Sequence, residues 1–198
     1  MAFYMKKMLT GVLLACVLSV FFAGGQAVMV PADEVINDIQ GEPGIYLYIK
    51  EVPGECTEVN HDGWIEVSSM YFGAHEPEGG ARGNSRRRGA VIVEDLEMTK
   101  ELDKSSPKIA EAVCEGKNFP KVEIDVISST VVGPQSLVKY ELKNVVFKSY
   151  WHSADVGEDV STEDVFTMSF EEITMAYTEY DDTGKPMGTS MWEYVNKD

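Results

Sequence analysis

The sequence is poor in basic residues and in cysteine. It has 17 lysine and arginine residues against 33 aspartate and glutamate residues, a formal net charge of −16 over 198 residues. Nucleic acids and anionic membranes attract an excess of positive charge, so this balance excludes sequence-independent binding to either. Three irregularly spaced cysteines, Cys16, Cys56 and Cys114, do not make a disulfide scaffold, and no Cys-x-x-Cys motif or paired histidine indicates a zinc site. We therefore expect no metal and no cofactor.

The sequence has one long apolar run, and it lies at the start. Lys6 and Lys7 precede an almost uncharged run at residues 9–23, and Gly25 and Ala27 place small residues where a signal peptidase cuts. The run is short for a membrane span of about 20 residues. We interpret residues 1–27 as a cleaved secretory signal and expect a secreted or periplasmic protein. A retained anchor and a lipid attached at Cys16 are the two alternatives.

Cleavage would change the charge and the redox surroundings of the chain. Residues 1–27 contain two lysines and no acidic residue, so 15 basic and 33 acidic residues remain, and no membrane contact is expected. Cys56 and Cys114 would enter a compartment in which disulfides form. Two interpretations stay open: the two thiols pair, or Cys114 is a small buried residue on a helix and Cys56 lies in a turn.

The rest of the chain is dominated by strand patterns. Residues 28–44 contain two prolines and two glycines and are expected to form a flexible lead-in. After them, apolar residues recur with a period of two, as where Val122, Ile124 and Val126 alternate with acidic residues. Strands are predicted at residues 45–50, 64–72, 90–98, 122–126, 138–142 with a bulged continuation at 145–150, 165–177 as one strand or two joined ones, and around Trp192. This pattern indicates one mainly β domain over residues 45–198, an antiparallel barrel or sandwich.

One helix interrupts the strands at residues 106–116. Ser106 is placed to cap it, Pro107 suits its first turn, and Gly116 is placed to end it. Its apolar stripe consists of Ile109, Ala112 and Val113. The helix is expected to flank the β structure and cover one of its openings.

Several segments resemble the Hcp family, the tube protein of bacterial type VI secretion systems. The most specific is TKELDKSSPKIAEAVCEGK at residues 99–117; residues 52–55, 63–67, 140–150 and 163–185 and the closing Trp192 agree with it in order. The resemblance runs from about Ile45 to the end. It implies a β-barrel with a flanking helix, homo-hexameric rings without enzymatic activity, and stacking of rings into an ejected tube. It also implies a spike protein and effector cargo in the lumen as partners.

The signal peptide departs from this family, because the secretion tube is assembled in the cytoplasm. Two accounts fit. Either this is a diverged ring protein exported across the membrane, or translation begins near Met29 and the chain is cytoplasmic until it is ejected. A charged segment, an apolar segment and a cleavage site in the expected order favour export.

The candidates for enzymatic or metal chemistry are weak. Cys56 and His61 are five residues apart and resemble a thiol nucleophile with its base, although loop residues of these types usually have no chemistry. His75 and His152 are expected at the surface. An acidic stretch is rich enough in oxygen for calcium but lacks the order of an EF-hand loop, so a solvated loop is expected; it comprises Asp155, Glu158, Asp159, Glu163 and Asp164.

An exported monomeric binding module for a sugar or protein is the alternative function. Aromatic residues on strands can line the surface of such a module, although they more often belong to a core or a subunit interface. The candidates here are Tyr46, Tyr48, Trp64, Trp151 and Trp192.

All four arginines lie within seven residues, whereas every other basic side chain is lysine. Arg82, Arg86, Arg87 and Arg88 occupy the glycine-rich connection at residues 73–89, between the second and third predicted strands. Arginine pairs with carboxylates through two parallel hydrogen bonds. In the Hcp family this connection reaches a neighbouring ring, so the resemblance predicts that the arginines dock on acidic groups of another subunit. The alternative is a solvated loop.

Overall fold

The structure is a computed structural model that describes residues 20–23, 26–29, 42–76, 91–157 and 160–196. Strands β1 (Val20–Ala23) and β2 (Gln26–Met29) form an antiparallel pair within a unit of residues 1–40. Most of the predicted signal peptide lies outside the described residues. Residues 41–198 form the second unit, which contains everything discussed below.

The second unit is mainly β, as predicted, with one helix in its described part. The strands are β3 (Gly44–Tyr48), β4 (Ile65–Val67), β5 (Ser69–Tyr71), β6 (Ala74–His75), β7 (Ile92–Val93), β8 (Leu96–Lys100), β9 (Asn118–Thr130), β10 (Gly133–Val156), β11 (Val160–Ser169), β12 (Glu172–Tyr180) and β13 (Pro186–Val195). Helix α1 (Ser106–Glu115) follows β8. The predicted strands at 64–72 and 90–98 are each divided in two, at Ser68 and between β7 and β8.

The main sheet closes on itself. Its strands follow the order β4-β3-β9-β10-β11-β8-β5, all antiparallel. Only Ser68 separates β4 from β5, and its backbone N–H donates to the Thr99 carbonyl at 2.8 Å. The two ends of the strand order are therefore adjacent in the chain, which makes the sheet a barrel.

The longest strand, β10, pairs with two different strands, one after the other, along one of its edges. Its first half pairs with β12 and its second half with β11, in one register that continues from Lys143↔Glu172 to Val146↔Ser169. The two pairings meet at Asn144, which has a φ of 51°, and its side-chain amide donates to Glu171 at 2.6 Å. Residues 165–177 are thus two joined strands that pair with β10 in one continuous register across their junction.

Apolar side chains from all parts of the barrel fill its core, and α1 packs against it. Ile109 and Ala112 are buried and Val113 is partly buried, which confirms the predicted stripe. Gly116 ends the helix with a φ of 62°. The prediction that Ser106 caps the helix is wrong: Ser105 is the N-cap residue and makes no side-chain cap bond. The Ser106 hydroxyl instead donates to Asp164.

Candidate functional site

The proposed nucleophile Cys56 lies in a chemically inert setting. Its side chain is buried, and its Sγ accepts a hydrogen bond from the Glu58 backbone N–H at 3.4 Å. Burial, together with the nearby carboxylates of Glu58 and Glu66, raises the pKa of the thiol to about 11. Only the thiolate is a good nucleophile, so the thiol is unreactive near neutral pH.

The ring of His61 is committed to carboxylates and not to the thiol. It is buried, with Nδ1 bonded to Glu58 and Nε2 lying 3.2 Å from Asp125 on β9. It also stacks on Tyr46 with ring centroids 4.3 Å apart. Since both ring nitrogens are occupied, His61 holds the loop before β4 against the sheet and leaves no nitrogen for a general base.

Both cysteines of the domain are free in the structure, and the surroundings of Cys114 differ from the prediction. Cys56 is buried, whereas Cys114 is exposed on α1. The expectation that Cys114 is a small buried residue is wrong, because it lies one position beyond the apolar stripe of the helix.

The acidic stretch is not one solvated loop. Asp155 and Glu163 are exposed on β10 and β11, and Glu158 and Asp159 lie outside the described residues. Asp164 is fully buried, which corrects the prediction. In the part of the chain that the structure describes, no group of three or more acidic, histidine or cysteine residues is arranged to hold a metal ion.

Asp164 is the centre of a buried ionic cluster. Its carboxylate accepts hydrogen bonds from the Ser106 hydroxyl, from Tyr150 at 2.9 Å and from His152 at 2.8 Å. The ammonium of Lys100, also fully buried, lies 3.2 Å from Asp164 and 2.7 Å from Asp103.

The titration of this cluster reflects both burial and hydrogen bonding. Burial tends to raise the pKa of the Asp164 carboxyl, but the hydrogen bonds from Ser106, His152, Tyr150 and Lys100 together lower it below its ordinary value. Burial and the Asp164 carboxylate raise the pKa of Tyr150 to about 12. Asp164 is therefore ionised and the Tyr150 hydroxyl protonated at neutral pH.

The remaining histidines are placed differently. His152 keeps 37% of its side chain exposed, so it is a surface residue only in part, while its ring bonds Asp164. His75 is exposed and lies 3.2 Å from Glu94, as expected for a surface residue.

The five candidate aromatic residues do not form one surface. Tyr46 is buried, and Tyr48 contacts Trp64 with ring centroids 5.2 Å apart. Trp192 lies on β13 beside Phe72, at 6.0 Å between centroids, whereas Trp151 lies on the second half of β10. This scatter gives no support to the binding-module alternative.

Strand β13 is an edge strand whose protection lies at its two ends, with Pro186 and a register irregularity at the start and Glu193 near the finish. It pairs with β12 alone within the described sheet, and nearly all of its side chains are exposed. Residues 186–192 carry no charge, while Met187 is 60% and Met191 is 71% exposed. Free edges are normally blunted by charges, because their unpaired backbone groups attract other chains. An uncharged edge with exposed apolar side chains indicates a contact surface. The sequence prediction did not identify it.

The four arginines lie outside the described residues. The segments that flank them do pair, since β6 and β7 form a two-stranded sheet with Ala74↔Val93 and His75↔Ile92. The connection therefore has a β-ribbon at its base.

Comparison with known proteins shows the family. Residues 46–178 match the family described as "Type VI secretion system effector, Hcp". The chain belongs to the Hcp family. It is 29% identical over 136 residues to the protein Hcp1 of Pseudomonas aeruginosa, a match that covers 67% of this chain and 82% of that protein.

Solved structures of the Hcp family share the fold. A structure described as a type six secretion system protein superposes with a TM-score of 0.70 at 26% identity, covering 78% of this chain and 96% of the other. Hcp1 from Salmonella typhimurium gives a TM-score of 0.61 at 23% identity, covering 77% and 93%. Hcp proteins are non-enzymatic, ring-forming tube proteins that type VI systems secrete, so the relevant site of such a chain is its assembly surface. No helix in the described residues is long and apolar enough to span a membrane.

Replacing Asp164 with alanine should strongly destabilise the domain, because Lys100 would lose a buried partner. We expect a loss of about 3–5 kcal/mol in the free energy of unfolding, measured in urea at pH 7. Replacing the exposed Asp155 with alanine is the control and should change it by no more than about 0.5 kcal/mol.

The loss of unfolding free energy caused by Asp164→Ala should depend on pH. The folded-state pKa of Asp164 lies below its unfolded value, so its contribution is present at neutral pH and is lost as pH falls from about 4 through the folded-state pKa. The difference in the free energy of unfolding between the wild type and Asp164→Ala should therefore become smaller at acidic pH. Equal unfolding free energies for the two at pH 7 would contradict the role of the cluster.

Proposed function

We propose that this chain assembles into homo-hexameric rings that stack into a hollow tube and have no enzymatic activity. Membership of the Hcp family supports the ring, and the observation on this chain that carries it is the outer edge of β13, which is uncharged at residues 186–192 and unpaired within the described residues. Monomeric proteins usually blunt their free edges, so an edge with an uncharged middle favours assembly over a monomeric enzyme or binding module. By the same family relationship, a spike protein at the tube end and effector cargo in the lumen are the expected partners. Co-purification of either with the assembled tube tests this.

Electron microscopy and native mass measurement test the ring. The chain from Val28 onward should form six-fold particles with six times the mass of one chain, and preparations should lack hydrolase and nuclease activity. A protein that stays monomeric at every concentration would overturn the proposal and favour the binding module. Activity abolished by Cys56→Ala or His61→Ala would overturn the non-enzymatic assignment.

We propose further that the arginine-rich connection joins one ring to the next. Copies this acidic repel one another, and the repulsion acts over a Debye length of about 8 Å at physiological salt. Arg82, Arg86, Arg87 and Arg88 form a concentrated positive segment in an otherwise acidic chain, on a connection that begins and ends in a β-ribbon. Arginines suit docking on the carboxylates of a neighbouring ring.

Reversing the charge of Arg86, Arg87 and Arg88 to glutamate should abolish tube formation and leave single rings intact. Raised salt should weaken stacking of the wild type, because it screens the same contacts. The matched control changes the exposed Lys50, Lys104 and Lys108 to glutamate, which alters the net charge equally at positions outside the β13 edge. Tubes formed by the arginine variant as readily as by the control would reject the contact.

We also propose that residues 1–27 are an export signal and that the protein acts outside the cytoplasm. The order of charged segment, apolar segment and cleavage site supports this. N-terminal sequencing of protein from the native host should find Val28 in the periplasm or medium. A start at Met29 recovered only from the cytoplasm would contradict it.

A further inference from the structure

The described methionines divide into a sheltered group and an exposed group. Six methionine side chains belong to the described residues, and four of them are buried or partly buried: Met70, Met98, Met168 and Met175. The other two, Met187 and Met191, are 60% and 71% exposed. Both lie on β13, in the segment at residues 186–192 that carries no charge. An oxidant in solution therefore reaches these two thioethers most easily, and both belong to one edge strand.

The pairing of β13 explains why these two side chains stay open to solvent. Met187 lies at the register irregularity, where the described ladder gives it no partner on β12. Met191 is paired with Ala176, whose single methyl group covers little of it. In the neighbouring pair, the hydroxyls of Thr178 and Thr189 lie 3.4 Å apart and bond each other. The side chains that face Met191 from β12 are thus small and leave it accessible.

Thiols compete with thioethers for an oxidant, and the domain has two of them. Cys56 is buried, and burial together with nearby carboxylates raises the pKa of its thiol to about 11, so it reacts poorly. Cys114 is exposed on α1. Replacing Cys114 with serine therefore leaves Met187 and Met191 as the most accessible sulfur-containing side chains among the described residues.

Oxidation of a methionine changes the polarity of its side chain without changing its charge. The thioether sulfur donates an electron pair to one oxygen of hydrogen peroxide. The O–O bond breaks, an S–O bond forms, and the second oxygen leaves as water with both protons of the peroxide. Sulfur is oxidised and the peroxide is reduced by two electrons. The product, methionine sulfoxide, carries a strong hydrogen-bond acceptor and disrupts interfaces that contain methionine.

We propose that Met187 and Met191 form an oxidation-sensitive modification site that controls whether the β13 edge enters an assembly. The reagent is a peroxide. Two sulfoxides place new acceptors in the uncharged segment of the edge, and an acceptor that is buried without a partner destabilises a contact. Oxidised chains therefore stay apart, whereas assembly covers the two side chains and protects them. The effect on assembly rests on the proposed ring, but the selectivity of the oxidation does not.

The modification is reversible. A sulfoxide reductase supplied with a dithiol returns each side chain to the thioether. The dithiol gives up two electrons and becomes a disulfide, and the oxygen leaves as water. A chain that is oxidised before assembly can therefore recover its edge.

Peroxide treatment of the purified protein carrying Cys114→Ser tests the selectivity. Peptide mass spectrometry should find the added oxygen at Met187 and Met191 about tenfold or more faster than at Met98 and Met168, because the latter two have no exposed surface. This measurement needs no ring. Equal rates at all four positions would overturn the site.

The effect on assembly is measured by mass photometry as the protein concentration at which half the chains are in rings. Oxidation should raise this midpoint by about tenfold or more, and sulfoxide reductase with dithiothreitol should restore it. In Met187→Leu with Met191→Leu, which lacks the two sulfur atoms but keeps the edge apolar, peroxide should no longer shift the variant's own midpoint. The matched control is Met70→Leu with Met175→Leu, which should keep the full shift. Circular dichroism verifies that both variants are folded.

The outcomes separate this inference from the proposed function. An unchanged midpoint in chains that carry both sulfoxides would overturn the control of assembly, and so would a shift that persists in the Met187→Leu, Met191→Leu variant. Oxidation of the two methionines as fast in rings as in separate chains would overturn their protection by assembly. Untreated chains that form no ring at any concentration would instead overturn the proposed function.

Discussion

The buried ion pair between Lys100 and Asp164 is the constraint on which the rest of the domain depends. Neither side chain has any exposed surface, so each charge is tolerated only because of its partners. The partners come from four elements: β8 supplies Lys100, α1 supplies Ser106, β10 supplies Tyr150 and His152, and β11 supplies Asp164. The cluster therefore fixes the helix against the barrel at the seam between β8 and β11. It also explains why the Ser106 hydroxyl is unavailable as a cap.

Much of the fold was predictable because the alternation of buried and exposed side chains appears in the sequence as an alternation of apolar and polar residues. Strands β9 and β10 show it clearly, and so does the stripe of α1, since a half-buried strand and an amphipathic helix have different periods. The strand limits were less predictable. Residues 64–72 look continuous, but the chain changes pairing partner at Ser68, and that change depends on which strands are neighbours in space.

Two errors at the candidate sites could have been avoided from the sequence alone. Asp164 lies two and four residues before Phe166 and Met168, so it falls on the core face of its strand despite its acidic surroundings. Cys114 directly follows Val113 and so falls outside the i, i+3, i+4 stripe that begins at Ile109. The contact surface was harder to find. The lack of charge at residues 186–192 is visible, but its meaning depends on β13 being an edge strand, which only the sheet order establishes.

The order of strands along the chain also determines when the barrel can close during synthesis. The early strands β3 and β8 each pair over only three residues with β4 and β5, whereas their longer partners are β9 and β11. The seam between β8 and β11 cannot form until residue 169 has been made, because β11 ends there. Such non-local pairings form slowly and late. The barrel therefore closes only after most of the domain has been synthesised, and until then the hairpin of β9 and β10 is the longest pairing that the described part of the emerging polypeptide can form.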